Sequence, residues 1–375
     1  MAATTSSQRA YRMIDPLTGL RAYAAFWALS RHFFLGEAYA IGFGTRVDLG
    51  FAAPIAIMGS DAIDVFFVLS GFVITYVYRS NFSDGLRFSR LWRYFAMRLG
   101  RIYPVYVALI GVMALGYWFD LLPWDNVPFD WPGLIVNLLM VQCWGFYPYL
   151  VWNRPSWTVS AEWFVYMLFP LFILVFGSIR KTRHLLLAIA AITVVYYLAR
   201  WEIGGFTRGN LGPGSLMRAT YGFLFGLFLH GLYLRRFLAH WKWDHVVVAA
   251  IGMLFAVTVL NVSGYAFPLT IYVPICLLVY ALTYARGYAA RIFDNRVIVY
   301  LGEISYSIYL VHFPLLRALS YAFGKRGAEI TAGAGQPLLW LLTLAMVGTV
   351  VAVATAFYYL IELPCRNYVK RKAAG

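Results

Sequence analysis

The chain predicts an all-α protein that crosses a membrane about ten times with both termini in the cytoplasm, and three observations point there. Apolar stretches recur from end to end of the 375 residues, each near the roughly 20 residues a helix needs to span a bilayer. The composition is 62% hydrophobic and 19% aromatic with 13% charged residues, far from the balance of a water-soluble domain. The basic residues behind a net charge of +15 gather in a few short loops, as cytoplasmic loops do. That distribution assigns the charge to membrane topology and excludes nucleic acid as its partner. No polar segment is long enough for a separate soluble domain. Residues 17–361 therefore read as one integral-membrane unit between a cytoplasmic tail at 1–16 and a basic cytoplasmic tail at 362–375.

Taken in order, the apolar candidates are 17–35, 60–78, 102–119, 132–145, 158–177, 184–200, 216–234, 245–262, 267–285, 298–320 and 337–361. Ala38-Tyr39-Ala40 resembles a signal-peptide cleavage site, but Arg21, Arg31 and His32 interrupt the apolar run before it, so an uncleaved first span is expected. Residues 79–101 carry Arg79, Arg87, Arg90, Arg93, Arg98 and Arg101 against Asp84, which places that loop inside. Residues 120–131 carry Asp120, Asp125 and Asp130 and no base, and face out; Arg180, Lys181 and Arg183 face in again. One crossing fits between those loops, and 158–177 supplies it. The stretch at 132–145 is too short to span and reads as interfacial or re-entrant. Arg235, Arg236 and Lys242, then Arg286, Arg291 and Arg296, then Arg366 to Lys372 fall inside, with Lys325 and Arg326 the mild exception outside.

Ionisable side chains inside membrane helices are costly and usually functional. Arg21 and His32 lie eleven residues apart in the first span, roughly 16 Å along a helix at 1.5 Å per residue. That length matches an extended pantetheine arm, with phosphate recognition at one end and chemistry at the other. A snorkelling arginine and a packed histidine fit the spacing equally well. The topology sets His32, Asp64 and Glu162 at a similar outer level, and Arg21, Arg98 and Arg101 at the cytoplasmic boundary. Cys143, Cys276 and Cys365 are scattered, with neither metal-ligand nor disulfide spacing, and no metal is expected.

Six segments, in order, resemble acyltransferase family 3, the integral-membrane O-acyltransferases that modify bacterial surface glycans. They are Leu17-Thr18-Gly19-Leu20-Arg21 with His32, Asp64 to Phe72, Arg98-Leu99-Gly100-Arg101-Ile102-Tyr103-Pro104, Ser156 to Glu162, Ser305 to His312, and Leu360-Ile361-Glu362-Leu363-Pro364. The resemblance covers roughly residues 12–368. Thr18 departs from a frequent aspartate, Arg31 from a usual apolar residue and Trp163 from a frequent second glutamate. Some relatives carry an extracytoplasmic esterase-like domain. This sequence stops before one, so delivery to the acceptor is expected from the membrane unit itself or from a separate partner.

The resemblance implies an enzyme that transfers an acyl group, most simply acetyl from cytosolic acetyl-CoA, to a hydroxyl of a glycan or glycolipid at the outer face of a bacterial inner membrane. His32 suits a general base because imidazole titrates near neutrality. Glu162 suits a second proton-handling group and Asp64 an orienting or structural one, although a helix N-terminal carboxylate explains Asp64 as well. His32 as a covalent acyl carrier stays open beside His32 as a base. Arg98 and Arg101, three apart on one helix face if the span extends that far, form with Arg21 a clamp for the phosphates of coenzyme A. Trp157, Ser160, Arg218, Tyr306 and His312 are the expected acceptor or tunnel contacts, alongside interhelical hydrogen bonding as the plainer role. The aromatic run from Trp144 to Trp157 and the glycine-rich 204–214 loop offer either an interfacial belt or a sugar platform. Membrane lipid is the other partner, and oligomeric state is open. A proton-coupled transporter would also use buried His, Asp and Glu, but repeated halves with matching broken helices are missing from the sequence. A non-catalytic subunit of a glycan export complex is the third reading.

Overall fold

The computed structural model describes residues 14–35, 47–82, 85–122, 130–177, 179, 181–202, 212–264 and 270–373, and all their regular structure is helical. The helices are α1 (Asp15–Leu35), the short α2 (Ala53–Ile57), α3 (Ala62–Tyr78), α4 (Phe88–Trp118), α5 (Trp131–Leu138), α6 (Trp157–Phe176), α7 (Thr182–Glu202) and α8 (Pro213–Leu234). They continue with α9 (Trp243–Val262), α10 (Tyr272–Tyr284), α11 (Tyr288–Asp294), α12 (Arg296–Glu303), α13 (Ser305–Ala332), α14 (Gln336–Phe357), a π turn at Tyr358–Glu362 and α15 (Leu363–Lys372). Among the described residues six helices are long and apolar enough to cross a membrane: α3, α4, α6, α7, α9 and α14. The number rises to eight if α10 with α11, bent by 96°, and α12 with α13, bent by 63°, each count as one span. Helices α1 and α8 are long but fall outside that count. Arg21, Arg31 and His32 dilute the apolar character of the first, and Arg218, His230 and four glycines that of the second.

Small residues let helix backbones meet where no hydrophobic force drives them together. Gly222 and Gly226 form a small-xxx-small pair on α8, and Gly71 faces them from α3. A methyl at Gly226 would stand 2.0 Å from the Val68 carbonyl oxygen and one at Gly71 1.9 Å from that of Phe223. The α3–α8 contact is therefore backbone against backbone. It also turns His230 inward, among the rings of Phe72, Tyr76 and Tyr233 at 5.7, 6.0 and 6.3 Å.

Charged residues shorten an apolar stretch without ending a helix. Expected from residue 102, α4 starts at Phe88 and carries Arg98 and Arg101 on continuous helix up to an internal Pro104. The stretch at 298–320, read as one span, breaks at Ile304. The Ser305 hydroxyl donates to the Gly302 carbonyl at 2.8 Å, offering the backbone a local partner in place of the next helical turn. Residues 362–372, read as the start of a tail, continue as the π turn and α15. The irregular turn delivers Glu362 into the interior, wholly buried, a typical use of π geometry.

The segment at 132–145 is short, as expected: α5 has eight residues, capped by Asp130, whose side chain accepts from the Gly133 N–H at 2.8 Å. Non-helical chain follows to residue 153, and such backbone is tolerated among apolar helices only where protein satisfies it. Tyr103 donates to the Leu138 carbonyl at 3.0 Å and Tyr106 to that of Asn137 at 2.9 Å. The Gln142 amide donates to Tyr106 Oη and to the Ser156 carbonyl, both at 3.1 Å. Asn153 donates to the Leu310 carbonyl at 2.9 Å, and Tyr309 to that of Pro155 at 3.0 Å.

Candidate active site

Helices α1, α3, α4, α6 and α13 enclose a cavity of about 110 Å³. Arg21 enters it from α1, Arg98 and Arg101 from α4, Glu162 and Tyr166 from α6, Ser70 from α3, and Ser305, Tyr306 and Tyr309 from α13. The three-residue offset puts Arg98 and Arg101 on one face of α4. All three arginines expected to act as a clamp thus share one chamber.

Each charge there has a defined setting. Arg98 donates to Tyr78 Oη at 2.9 Å, and its guanidinium lies 4.8 Å from the Tyr78 ring centroid and 5.8 Å from that of Tyr166, a stacked arrangement that suits a planar cation. Arg101 pairs with Glu362 at 3.1 Å, and Ser307 donates to the other Glu362 oxygen at 2.8 Å. Glu162 Oε1 accepts from the hydroxyls of Ser70, at 2.5 Å, and Tyr166. The formal sum over Arg21, Arg98, Arg101, Glu162 and Glu362 is three positive against two negative charges, a net +1.

Asp64 does not join this chamber. Its two oxygens accept from Arg218 Nε and Nη2, both at 2.8 Å, and Tyr272 donates to Oδ1 at 2.7 Å. Arg218 also donates to the Ser60 carbonyl at 2.8 Å. The side chains of the pair are 4% and 7% exposed, which leaves no open face for an acceptor at Arg218 and no free carboxylate oxygen for His32 at Asp64. Asp64 and Glu162 do not stand side by side, for a geometric reason. Glu162 meets α3 at Ser70, six residues beyond Asp64, or about 9 Å further along the helix.

His32 and His312 stand together elsewhere, ring centroids 5.0 Å apart, with Phe313 at 5.9 Å from His32. His312 is wholly buried and neither ring nitrogen has a hydrogen-bond partner. Trp157 is buried, edge-on to Phe67 at 6.4 Å and beneath the Arg218 guanidinium at 5.8 Å. Ser160 is buried and its hydroxyl accepts from the Cys143 N–H at 3.3 Å. Tyr306 borders the cavity, but its hydroxyl donates to the Ile102 carbonyl at 2.5 Å. In the aromatic run, Phe146 and Tyr149 are exposed while Trp152 and Trp157 are buried. Of the 204–214 loop, residues 204–211 lie outside the described residues.

Sequence reasoning assigned no role to Ser70, Tyr78, Tyr166 or Glu362. Tyr166 follows Glu162 by four residues, the spacing of facing helix neighbours. Ser70 and Glu362 lie within motifs already quoted. Tyr78 carries no comparable mark. Among the described residues no three His, Cys, Asp or Glu side chains gather as metal ligands would.

Residues 15–359 match the family described as acyltransferase domain. The chain is 29% identical to the acyltransferase MdmB of Streptomyces mycarofaciens, covering 96% of this chain and 93% of that protein. It is 25% identical to the peptidoglycan O-acetyltransferase OatA of Listeria monocytogenes over 99% of this chain, and 25% identical to the putative peptidoglycan O-acetyltransferase YrhL of Bacillus subtilis over 95%. This chain spans 59% and 55% of the lengths of those last two. No solved structure matches.

Proposed function

The chain belongs to the acyltransferase domain family and is an acyltransferase, and on that premise we propose that it carries an acetyl group from acetyl-CoA to a hydroxyl of a glycan or glycolipid across the membrane. The observation that carries the donor half is the meeting of Arg21, Arg98 and Arg101 in one chamber. Guanidinium groups match phosphate oxygens in pairs, and the net positive charge there favours an anionic donor. For the acceptor half, two relatives bear names that specify peptidoglycan O-acetylation, which supports a glycan hydroxyl.

In this reading the chain crosses a bacterial inner membrane ten times with both termini in the cytoplasm. The ten long apolar stretches fall on α1, α3, α4, α6, α7, α8, α9, α10, α12 with α13, and α14. Coenzyme A phosphates meet the three arginines, and the pantetheine runs along α1 toward His32, roughly 16 Å from Arg21. His32 takes the acceptor hydroxyl proton as the oxygen attacks the thioester carbonyl. The tetrahedral intermediate collapses, the C–S bond breaks, and the departing thiolate takes the proton from the His32 imidazolium. Glu162, held by Ser70 and Tyr166, keeps the arginine cluster spaced to receive an anion.

The test uses purified full-length protein in detergent with radiolabelled acetyl-CoA, comparing wild type with His32→Ala and Arg21→Gln. His32→Ala is expected to bind the donor and lose thioester turnover. Arg21→Gln is expected to weaken donor binding about tenfold, near the value of one charged hydrogen bond. A well-folded wild type that does not bind coenzyme A overturns the proposal.

A further inference from the structure

The arginine chamber and the histidine pair are separate places, and two aromatic rings stand between them. Phe66 and Tyr309 both border the chamber, whereas His32 and His312 do not. Tyr309 lies 5.5 Å from His312, which lies 5.0 Å from His32, so the rings form a file leading out of the chamber. Phe66 closes the other side, 6.2 Å from Tyr309 at 54°. Among the described residues it packs against two apolar clusters, one of which holds Leu29 and Phe33 on either side of His32.

An alkyl carbon needs about 3.5–4 Å to a carbon on either side, so a chain passing between two rings needs roughly 7–8 Å between them. At 6.2 Å the pair is shut to an acyl chain. The two rings differ in freedom. The Tyr309 hydroxyl is tied to the Pro155 carbonyl at 3.0 Å, while Phe66 is only partly buried and has no polar group to fix it. We propose that Phe66 and Tyr309 form a gate between the donor chamber and His32, with Phe66 the moving leaf, and that the opening Phe66 allows sets the widest acyl group the enzyme accepts beyond the slender pantetheine arm. This rests on the reading of acetyl-CoA as donor and His32 as the reacting base.

The test measures turnover of acetyl-CoA and the branched isobutyryl-CoA by full-length wild type, Phe66→Leu and Phe66→Ala, with elution as a folded species checked for each. A pocket contact with one methylene shifts discrimination by about tenfold or more. The isobutyryl-to-acetyl ratio is therefore expected to rise at least about tenfold in Phe66→Ala and by a smaller factor in Phe66→Leu. Phe66→Leu keeps an apolar side chain of moderate size, so it carries the test if the alanine variant does not fold. Wild type that consumes acetyl-CoA while the folded variants keep its ratio overturns the gate alone. Wild type that consumes neither thioester overturns the donor reading, and the gate with it.

Discussion

Replacing Asp64 with alanine separates a structural ion pair from a catalytic carboxylate. In the folded protein Asp64 and Arg218 are joined by two hydrogen bonds of 2.8 Å, their side chains 4% and 7% exposed. Asp64→Ala leaves the guanidinium buried, bonded to the Ser60 carbonyl and with Asp61 as the other carboxylate acting on it. Removing one partner of a buried pair costs about 3–5 kcal/mol, because the other charge stays desolvated. Tyr272 loses its acceptor as well, and an orphaned hydroxyl adds about 1–3 kcal/mol. A loss of this size should lower the midpoint of thermal unfolding by on the order of 10 °C. Replacing both charges with apolar residues of similar volume should restore much of it, since such exchanges are often neutral. The assay is thermal unfolding in detergent for wild type, Asp64→Ala, Arg218→Met and the double variant Asp64→Leu with Arg218→Met. The reasoning fails if Asp64→Ala melts with wild type, or if the double variant is no more stable than the worse single one.

Gly226→Ala should push α3 from α8, since its methyl would stand 2.0 Å from the Val68 carbonyl oxygen. A loss of at least about 3 kcal/mol is expected, beyond ordinary overpacking, checked by the monodisperse fraction recovered on size exclusion; Gly252→Ala, where nothing lies within 4 Å, is the control and should be near neutral. Glu362→Gln keeps the shape and the Ser307 partner but removes the charge facing Arg101. Stability should fall by about 2–4 kcal/mol, at the lower side of a buried pair because Arg101 is 16% exposed, and thermal unfolding reads it.

The family and the arginine cluster were legible in the sequence because both are local signals. Arg98 and Arg101 share a helix face by spacing alone, and Arg21 sits in an apolar run where charge is conspicuous. The short 132–145 segment was legible from length and loop charge, and α5 with its irregular continuation has that character. What could not be read was which faces meet. Asp64 and Arg218 are 154 residues apart and Arg101 and Glu362 are 261 apart, and no periodicity encodes such pairings. Depth along a helix axis was a poor guide to them. Asp64 and Glu162 sit at comparable points of their own helices, yet α6 meets α3 lower down, at Ser70. His230 carries no sign in the sequence of the inward position among aromatic rings that the α3–α8 glycine contact gives it.

The irregular chain after α5 also bears on the order in which the protein can be made. Tyr103 and Tyr106 are already in place when it emerges, but two of its partners arrive late: Asn153 reaches Leu310 and Pro155 is reached by Tyr309, across 157 and 154 residues. A nascent chain emerges from its N-terminus, so residues 139–156 are synthesised long before α13 exists to receive them. Until then that stretch has polar backbone and no helix of its own, and hydrocarbon is a forbidding place for it. Its last polar groups are satisfied only as α13 closes against it. The chamber wall of Ser305, Tyr306 and Tyr309 is completed in that same closing step, so a ribosome that stalls before α13 leaves the arginine chamber open on that side.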